Sequence, residues 1–311
     1  MTKAKLIFPN TKLLKQLIKI IQKLFTPIAL AFLGIAIYNS WGEVSNIFIQ
    51  ANLVMFFPAI LLWSLTNLLP PLVTLSILKP PHPQLTYSEL RFIHFNRLPA
   101  KFIPGGIWQT VGRISDLKKR GIKYNLLASL VLIENILPLS ITTGVGGSIL
   151  YFFQKTGFYY WLTLCAAFLG IITLFSIPIA TQKIKKINVI IPLRNYLAAC
   201  IITSLFWLTA TSCFLLYMSS FKGVIQTVNI IELAGIYLIS WAIGFVSVFT
   251  PQGIGVFEAV ASKMMQSAAP DFAFLQIIAL IAGFRLLVIL GDALSYFCWG
   301  TLLIYKKNMK K

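Results

Sequence analysis

Acidic residues are scarce in this chain: eight Asp and Glu stand against 27 Lys and Arg in 311 residues. Glu43, Glu89, Asp116, Glu134, Glu232, Glu258, Asp271 and Asp292 are scattered, so no close carboxylate pair is available to hold a nucleotide-sugar metal. Histidine is scarcer still. His82 sits between two prolines and His94 in a basic stretch, and neither has the carboxylate or cysteine neighbours of a metal site. With both on one connection and few acids nearby, no Ser/His/Asp set can be drawn. The cysteines, Cys165, Cys200, Cys213 and Cys298, fall in apolar runs without pairing or metal spacing and read as small packing residues. A Gly-x4-Gly-Lys-Ser/Thr loop is missing, which argues against ATP-driven pumping by this chain alone. The run Gly144-Val145-Gly146-Gly147-Ser148 lacks the lysine and suits close helix packing. No catalytic residue, metal or cofactor is expected.

What the chain has is apolar length. Apolar residues make up 58% and charged residues 11%, and mean hydropathy is +0.82, whereas a soluble domain carries about 45–50% and about 25%. A membrane span needs about 20 apolar residues. Six clear spans are expected, roughly 24–41, 52–78, 125–153, 158–180, 195–221 and 229–250. The run 272–304 is too long for one upright span and too short for two with a loop. The segment 251–270 is short and Gly/Pro-interrupted, and either crosses the membrane or re-enters it.

The basic residues give direction. Six lysines precede the first span, nine Lys/Arg lie in 79–123, four in 183–194 and four in the tail 306–311. These are alternate connections, and the intervening ones hold only Lys155 and Lys222. By the positive-inside rule both termini are cytoplasmic and the crossings even in number, with eight expected. The alternative is a re-entrant 251–270 followed by a tight helical hairpin within 272–304. The +19 net charge is therefore topogenic and headgroup-directed, and no nucleic-acid partner is expected. Residues 1–23 form a basic N-terminal segment. Within 11–24, Leu13, Leu14, Leu17, Ile18, Ile20, Ile21 and Leu24 fill one helical arc and lysines and glutamines the other, an interfacial amphipathic pattern.

Two interruptions match. Phe102-Ile103-Pro104-Gly105-Gly106-Ile107 returns as Phe249-Thr250-Pro251-Gln252-Gly253-Ile254, with the prolines 147 positions apart, one in each half of the single 24–305 transmembrane region. Broken segments at matching places point to a transporter's binding site. Pro104, Gly105, Gly106, Pro251, Gly253 and Gly255 are the expected helix-breaking residues. Ionisable groups at bilayer depth are functional candidates, namely Arg113, Glu134, Glu258, Arg285 and Asp292. A phosphate held by a helix start and by Arg113 or Arg285 is one reading. The other is structural, with Arg113 pairing Glu258 or Arg285 pairing Glu134 to lock the bundle. Asp116 and Arg120, four apart beside Lys118 and Lys119, read as a solvated face.

Asn96-Arg97-Leu98-Pro99, Ile103-Pro104-Gly105-Gly106-Ile107-Trp108-Gln109 and Gly112-Arg113 resemble the first signature of the lysylphosphatidylglycerol-synthase transmembrane (flippase-like) family. Thr250-Pro251-Gln252-Gly253-Ile254-Gly255-Val256-Phe257-Glu258-Ala259 resembles its second. Glu134 and Arg285 fall where that family carries a Glu and an Arg. Two departures stand out: Gln252 replaces a usual Gly, and Phe257 stands where a basic residue often precedes the Glu. Larger relatives carry a soluble aminoacyl-transfer domain after the membrane part, and this sequence stops at Lys311, so the resemblance implies the stand-alone form.

It implies an all-α polytopic bundle in the plasma (inner) membrane that translocates or binds an anionic or lipid-linked headgroup, an aminoacyl-phospholipid or a polyprenyl-phosphate glycan. Its partners would be membrane lipids and glycan-assembly or aminoacyltransferase proteins. Arg113 and Arg285 would hold phosphate; Glu134 and Glu258 would orient them, or bind a cationic headgroup or a proton. Replacing Arg113 or Glu258 by alanine is expected to stop transport without loss of insertion. The rival readings are an integral-membrane enzyme of glycolipid synthesis using Glu258 or Asp292, and a non-transporting scaffold for glycan assembly.

Overall fold

The computed structural model describes residues 38, 42, 45, 48–49, 51–79, 82–102, 108–153, 158–184, 187, 189–247 and 253–300. The 1–23 segment, nearly all of the expected span 24–41, Pro104, Gly105, Gly106, Pro251 and the 306–311 tail lie outside the described residues. Within them the chain is helical, with no strand. Five stretches are long and apolar enough to cross a membrane: Leu53–Leu78, Tyr124–Phe153, Tyr160–Lys183, Leu193–Met218 and Phe274–Trp299. Ile230–Val246 is apolar but shorter.

The first stretch is bent. Helix α1 (Phe56–Thr66) follows a 3₁₀ turn capped by the Asn52 side chain, and α2 starts afresh as Pro70–Leu78. Pro70 and Pro71 have no N–H to return to the carbonyls four residues back, and their rings crowd those carbonyls. The break thus falls inside what hydropathy reads as one span. Helix α3 (Tyr87–Arg97) is set by a capping box between Thr86 and Glu89 and runs on into a 3₁₀ turn, Leu98–Phe102. Helix α4 (Trp108–Lys118) completes this connection.

The longest helix, α5 (Tyr124–Phe153), lies between α6 (Phe158–Lys183) and α9 (Ile230–Val246). Small residues allow both contacts. A Cβ on Gly147 would sit 2.6 Å from the Ala167 nitrogen, and Gly170 abuts the Gly144 backbone. On the α9 side, a Cβ on Gly146 would come within 2.8 Å of Leu238. The glycine run thus makes a close backbone seam, as small-residue stripes do between membrane helices.

Helix α7 (Leu193–Met218) is followed by the short α8 (Lys222–Thr227) and packs on α1 and α2. Its Phe214 stacks on Tyr237 of α9 at 4.7 Å between ring centres and meets Phe284 edge-on at 5.0 Å. The last two helices, α10 (Val256–Ala268) and α11 (Phe274–Ser295), form a hairpin, and α11 ends in a π turn, Tyr296–Gly300. Within the run 272–304 a single helix therefore runs from Phe274 through Gly300, in place of a tight hairpin. At 13 residues against 22, α10 flanks only the first half or so of α11 and begins beside Arg285.

That beginning depends on two turns with positive φ, Gly253 (+68°) and Gly255 (+88°). At Gly253 a Cβ would also lie 2.7 Å from the Gly244 carbonyl carbon. Gly253→Ala is expected to cost about 1–3 kcal/mol, from backbone strain and the clash with Gly244. Thermal unfolding of purified protein in detergent would read it, and an unchanged midpoint would refute the close approach.

Candidate functional site

Three buried charge clusters organise the bundle. The first joins α2, α4 and α5. Arg113 donates from Nη2 to Glu134 Oε1 at 2.7 Å and to Thr74 Oγ1 at 2.8 Å, and the Thr74 hydroxyl lies 2.6 Å from the same carboxylate oxygen. The two charged side chains are 11% and 13% exposed. Arg113 uses one terminal nitrogen for both bonds; among the described residues its Nε and Nη1 hydrogens have no acceptor.

The second cluster ties α10 to α11. Arg285 Nε donates to Glu258 Oε1 at 2.8 Å, and the guanidinium carbon lies 4.5 Å from the centre of the Phe257 ring. Glu258 Oε2 accepts from the Gly255 N–H at 2.6 Å. The carboxylate at the third helical position thus caps its own helix start, where the free N–H groups favour a negative charge. An anion could not share that start without displacing a side chain that is 3% exposed. For the second break, the protein's own glutamate fills the place in which the sequence suggested phosphate.

The third cluster closes the bend between α1 and α2. Asp292 Oδ1 accepts from Trp63 Nε1 and Asn67 Nδ2, both at 3.0 Å, and its other oxygen pairs with the Lys101 ammonium from the 3₁₀ turn. Asn67 also donates to Ser295 Oγ at 3.0 Å, and Ser295 reaches Ser64 and the Gly291 carbonyl. Asp292 is 2% exposed, so its three donors replace the water it loses.

The five charged candidates are therefore all engaged, but with partners other than those weighed from the sequence. Arg113 pairs with Glu134 rather than Glu258, and Arg285 with Glu258 rather than Glu134. Asp292 shares α11 with Arg285 but bonds Lys101, Trp63 and Asn67. Asp116 and Arg120 do not form an i,i+4 pair: Asp116 takes a two-pronged bond from Arg97 at 2.8 and 3.0 Å, and Arg120 reaches Glu89 at 2.6 Å. Both side-chain pairs stand at the surface, where such bonds are worth little.

Thr74, Trp63, Asn67, Lys101 and Ser295 were not singled out from the sequence. A signal existed for some: Asn67 stands just before the Pro70-Pro71 doublet inside an apolar run, and Trp63 and Asn67 share a face at i,i+4, as Asp292 and Ser295 do at i,i+3.

His94 has no metal-site neighbours in the sequence. Among the described residues no group of three or more His, Cys, Asp or Glu side chains is placed to hold a metal. Yet His94 is 5% exposed on α3, and neither ring nitrogen has a hydrogen-bond partner. Burial, with Arg113 and Lys101 adding repulsion, holds its pKa well below the usual 6.5.

Two open clefts mark the surface, one lined by Lys263, Gln266, Asp271 and Phe272, the other by Phe92, Asn96, Arg97 and Asp116. Neither is lined by Arg113, Glu134, Glu258 or Asp292. Comparison with protein-family models, curated proteins and solved structures finds no match to this chain.

Proposed function

We propose that this chain is a multi-pass plasma-membrane protein, with eight crossings and cytoplasmic termini, that binds an anionic or lipid-linked headgroup and carries it between leaflets. The observation that supports this most directly is the half-used Arg113. A guanidinium has five N–H donors in a fixed fork that fits a phosphate with two parallel bonds. At Arg113, Glu134 and Thr74 engage only one nitrogen, and the side chain keeps 11% of its surface open. A pair retained only to lock helices would be expected to use the fork fully, since a buried charge pair stabilises little unless its remaining donors are satisfied.

In this reading Glu134 and Thr74 aim the guanidinium, while the Glu258–Arg285 pair forms the hinge of the broken second segment. That segment and the first belong to two corresponding halves of the core. Glycan-assembly or aminoacyl-transfer proteins would supply or consume the lipid. The test is native mass spectrometry of gently purified protein, followed by a leaflet-translocation assay with whatever lipid is retained. Arg113→Ala is expected to lose the retained anionic lipid and at least about tenfold in transport, the factor for roughly 1.4 kcal/mol of lost phosphate contact. Wild-type lipid retention and transport by a well-inserted Arg113→Ala would sink the assignment.

A further inference from the structure

Helix α3 packs against α4, against the 3₁₀ turn that carries Lys101, and against the π turn at the end of α11. Three side chains on α3 and the π turn have buried nitrogens that lack hydrogen-bond partners. They are Arg91 Nε, both nitrogens of His94, and Trp299 Nε1. Arg91 and His94 are three apart and share a face of α3. Buried polar groups are paired in the great majority of cases, and each exception needs an explanation. Here the orphans have one chemistry. The Arg91 and Trp299 groups are donors only, and neutral imidazole adds a third N–H. What the contact lacks is an acceptor.

The charges around α3 are of both signs: Asp116 of α4 faces it and is held by Arg97, and its own Glu89 pairs with Arg120. Arg113 of α4 and Lys101 of the 3₁₀ turn act on His94, each with its carboxylate partner, Glu134 or Asp292, on a different helix. The titratable groups of the π turn are Tyr296 and Cys298, and it carries no carboxylate.

We propose that the contact between α3 and the π turn binds a phosphate group, with Arg91, His94 and Trp299 donating to its oxygens and Arg113 and Lys101 supplying positive charge. This deepens the headgroup reading and rests on it for the lipid source of the phosphate. It also adds residues that reading does not use and sets the site between a cytoplasmic connection and the C-terminal end of the last helix. Binding is then coupled to a proton. A phosphate anion beside His94 favours the imidazolium, which turns the ring's acceptor nitrogen into a further donor.

The chain has two histidines, so His82 serves as an internal reference in histidine-labelled nitrogen NMR. The full chain would be purified in a maltoside detergent, which holds no phosphate. His94 and His82 would then be titrated alone, with inorganic phosphate, with phosphatidylglycerol, and with chloride at matched ionic strength. The expected result is that phosphatidylglycerol raises the His94 titration midpoint by at least about one pH unit, while His82 and the chloride control stay put. Trp299→Phe, which keeps the ring and removes the N–H, is expected to lose most of that movement.

Movement with the lipid alone identifies a headgroup site. Movement with both ligands shows that the phosphate group suffices, and either result supports the proposal. No movement with either ligand, or full movement in Trp299→Phe, overturns it. If phosphatidylglycerol is still retained by the wild type and lost in Arg113→Ala, the headgroup reading survives and only this site fails.

Discussion

Glu258→Ala is expected to destabilise the folded protein by about 3–5 kcal/mol, the usual cost of removing one partner from a buried ion pair. Glu258 is 3% exposed and holds two groups at once, the Arg285 guanidinium at 2.8 Å and the Gly255 N–H at 2.6 Å. Its removal takes the carboxylate from beside Arg285 and uncaps α10. The two losses can be separated. Glu258→Gln keeps an oxygen for the helix start, so it retains the cap, worth about 1 kcal/mol, and loses mainly the charge pairing. Arg285→Met in the alanine background should restore part of the stability, because a charge that has lost its buried carboxylate costs more than an apolar replacement.

Thermal unfolding in detergent, with size-exclusion profiles for aggregation, would measure all three. A wild-type melting profile for Glu258→Ala would show that the pair carries little of the fold. The expected destabilisation goes beyond what the sequence suggested for the residue. An intramembrane glutamate read in isolation looks like a transport group whose loss leaves insertion intact, whereas the structure makes it a cap and a counter-ion together.

Gly170→Leu is expected to cost about 3 kcal/mol or more, at the upper end of what overpacking costs. The added side chain has nowhere to go. A Cβ alone would press on the Gly144 backbone and lie 2.6 Å from the Ser140 carbonyl oxygen, and backbone cannot swing aside as a flexible side chain can. Relief requires α5 and α6 to part, which would also break the bond of 2.8 Å between Ser140 and Thr173. Gly144→Ala is the milder companion, because its Cβ meets the nearest atom at 3.7 Å. The comparison is the test: similar melting points for the two variants would mean that the seam is not where the structure puts it.

The membrane-crossing character was legible because a span needs only apolar length, which hydropathy records directly. Leu53–Leu78 and Phe274–Trp299 fall within runs expected from the sequence, and Tyr124–Phe153, Tyr160–Lys183 and Leu193–Met218 overrun theirs by one to three residues at one end. The bend before Pro70 was legible in principle, since a proline doublet removes two helical hydrogen bonds, but its apolar surroundings hid it. Which cation meets which carboxylate was not legible. Arg113 finds Glu134 through the packing of α4 on α5, and helix spacing leaves no mark in a periodicity. The capping role of Glu258 was written locally, as a carboxylate three positions after Gly255. The expectation of a ligand at that helix start passed over it. Lys101 went unnoticed because one lysine in a basic connection looks like topology signal until Asp292 is found beside it.

Among the described residues, helix α6 packs chiefly along one edge, on α5. Phe168, Leu169, Ile172 and Phe175 are 57%, 59%, 62% and 71% exposed on its far side. In a bilayer these side chains would meet acyl tails, and a hydrophobic helix adapts to a change in bilayer thickness by tilting. Tilt in α6 has no cushion to absorb it at the seam, where Gly170 bears on Gly144 with no side chain between them. The load passes to α5, and Glu134 lies ten residues before Gly144 on that helix. Lipid composition therefore has a mechanical route to the Arg113 fork: a thicker or thinner bilayer would act on the carboxylate that aims it.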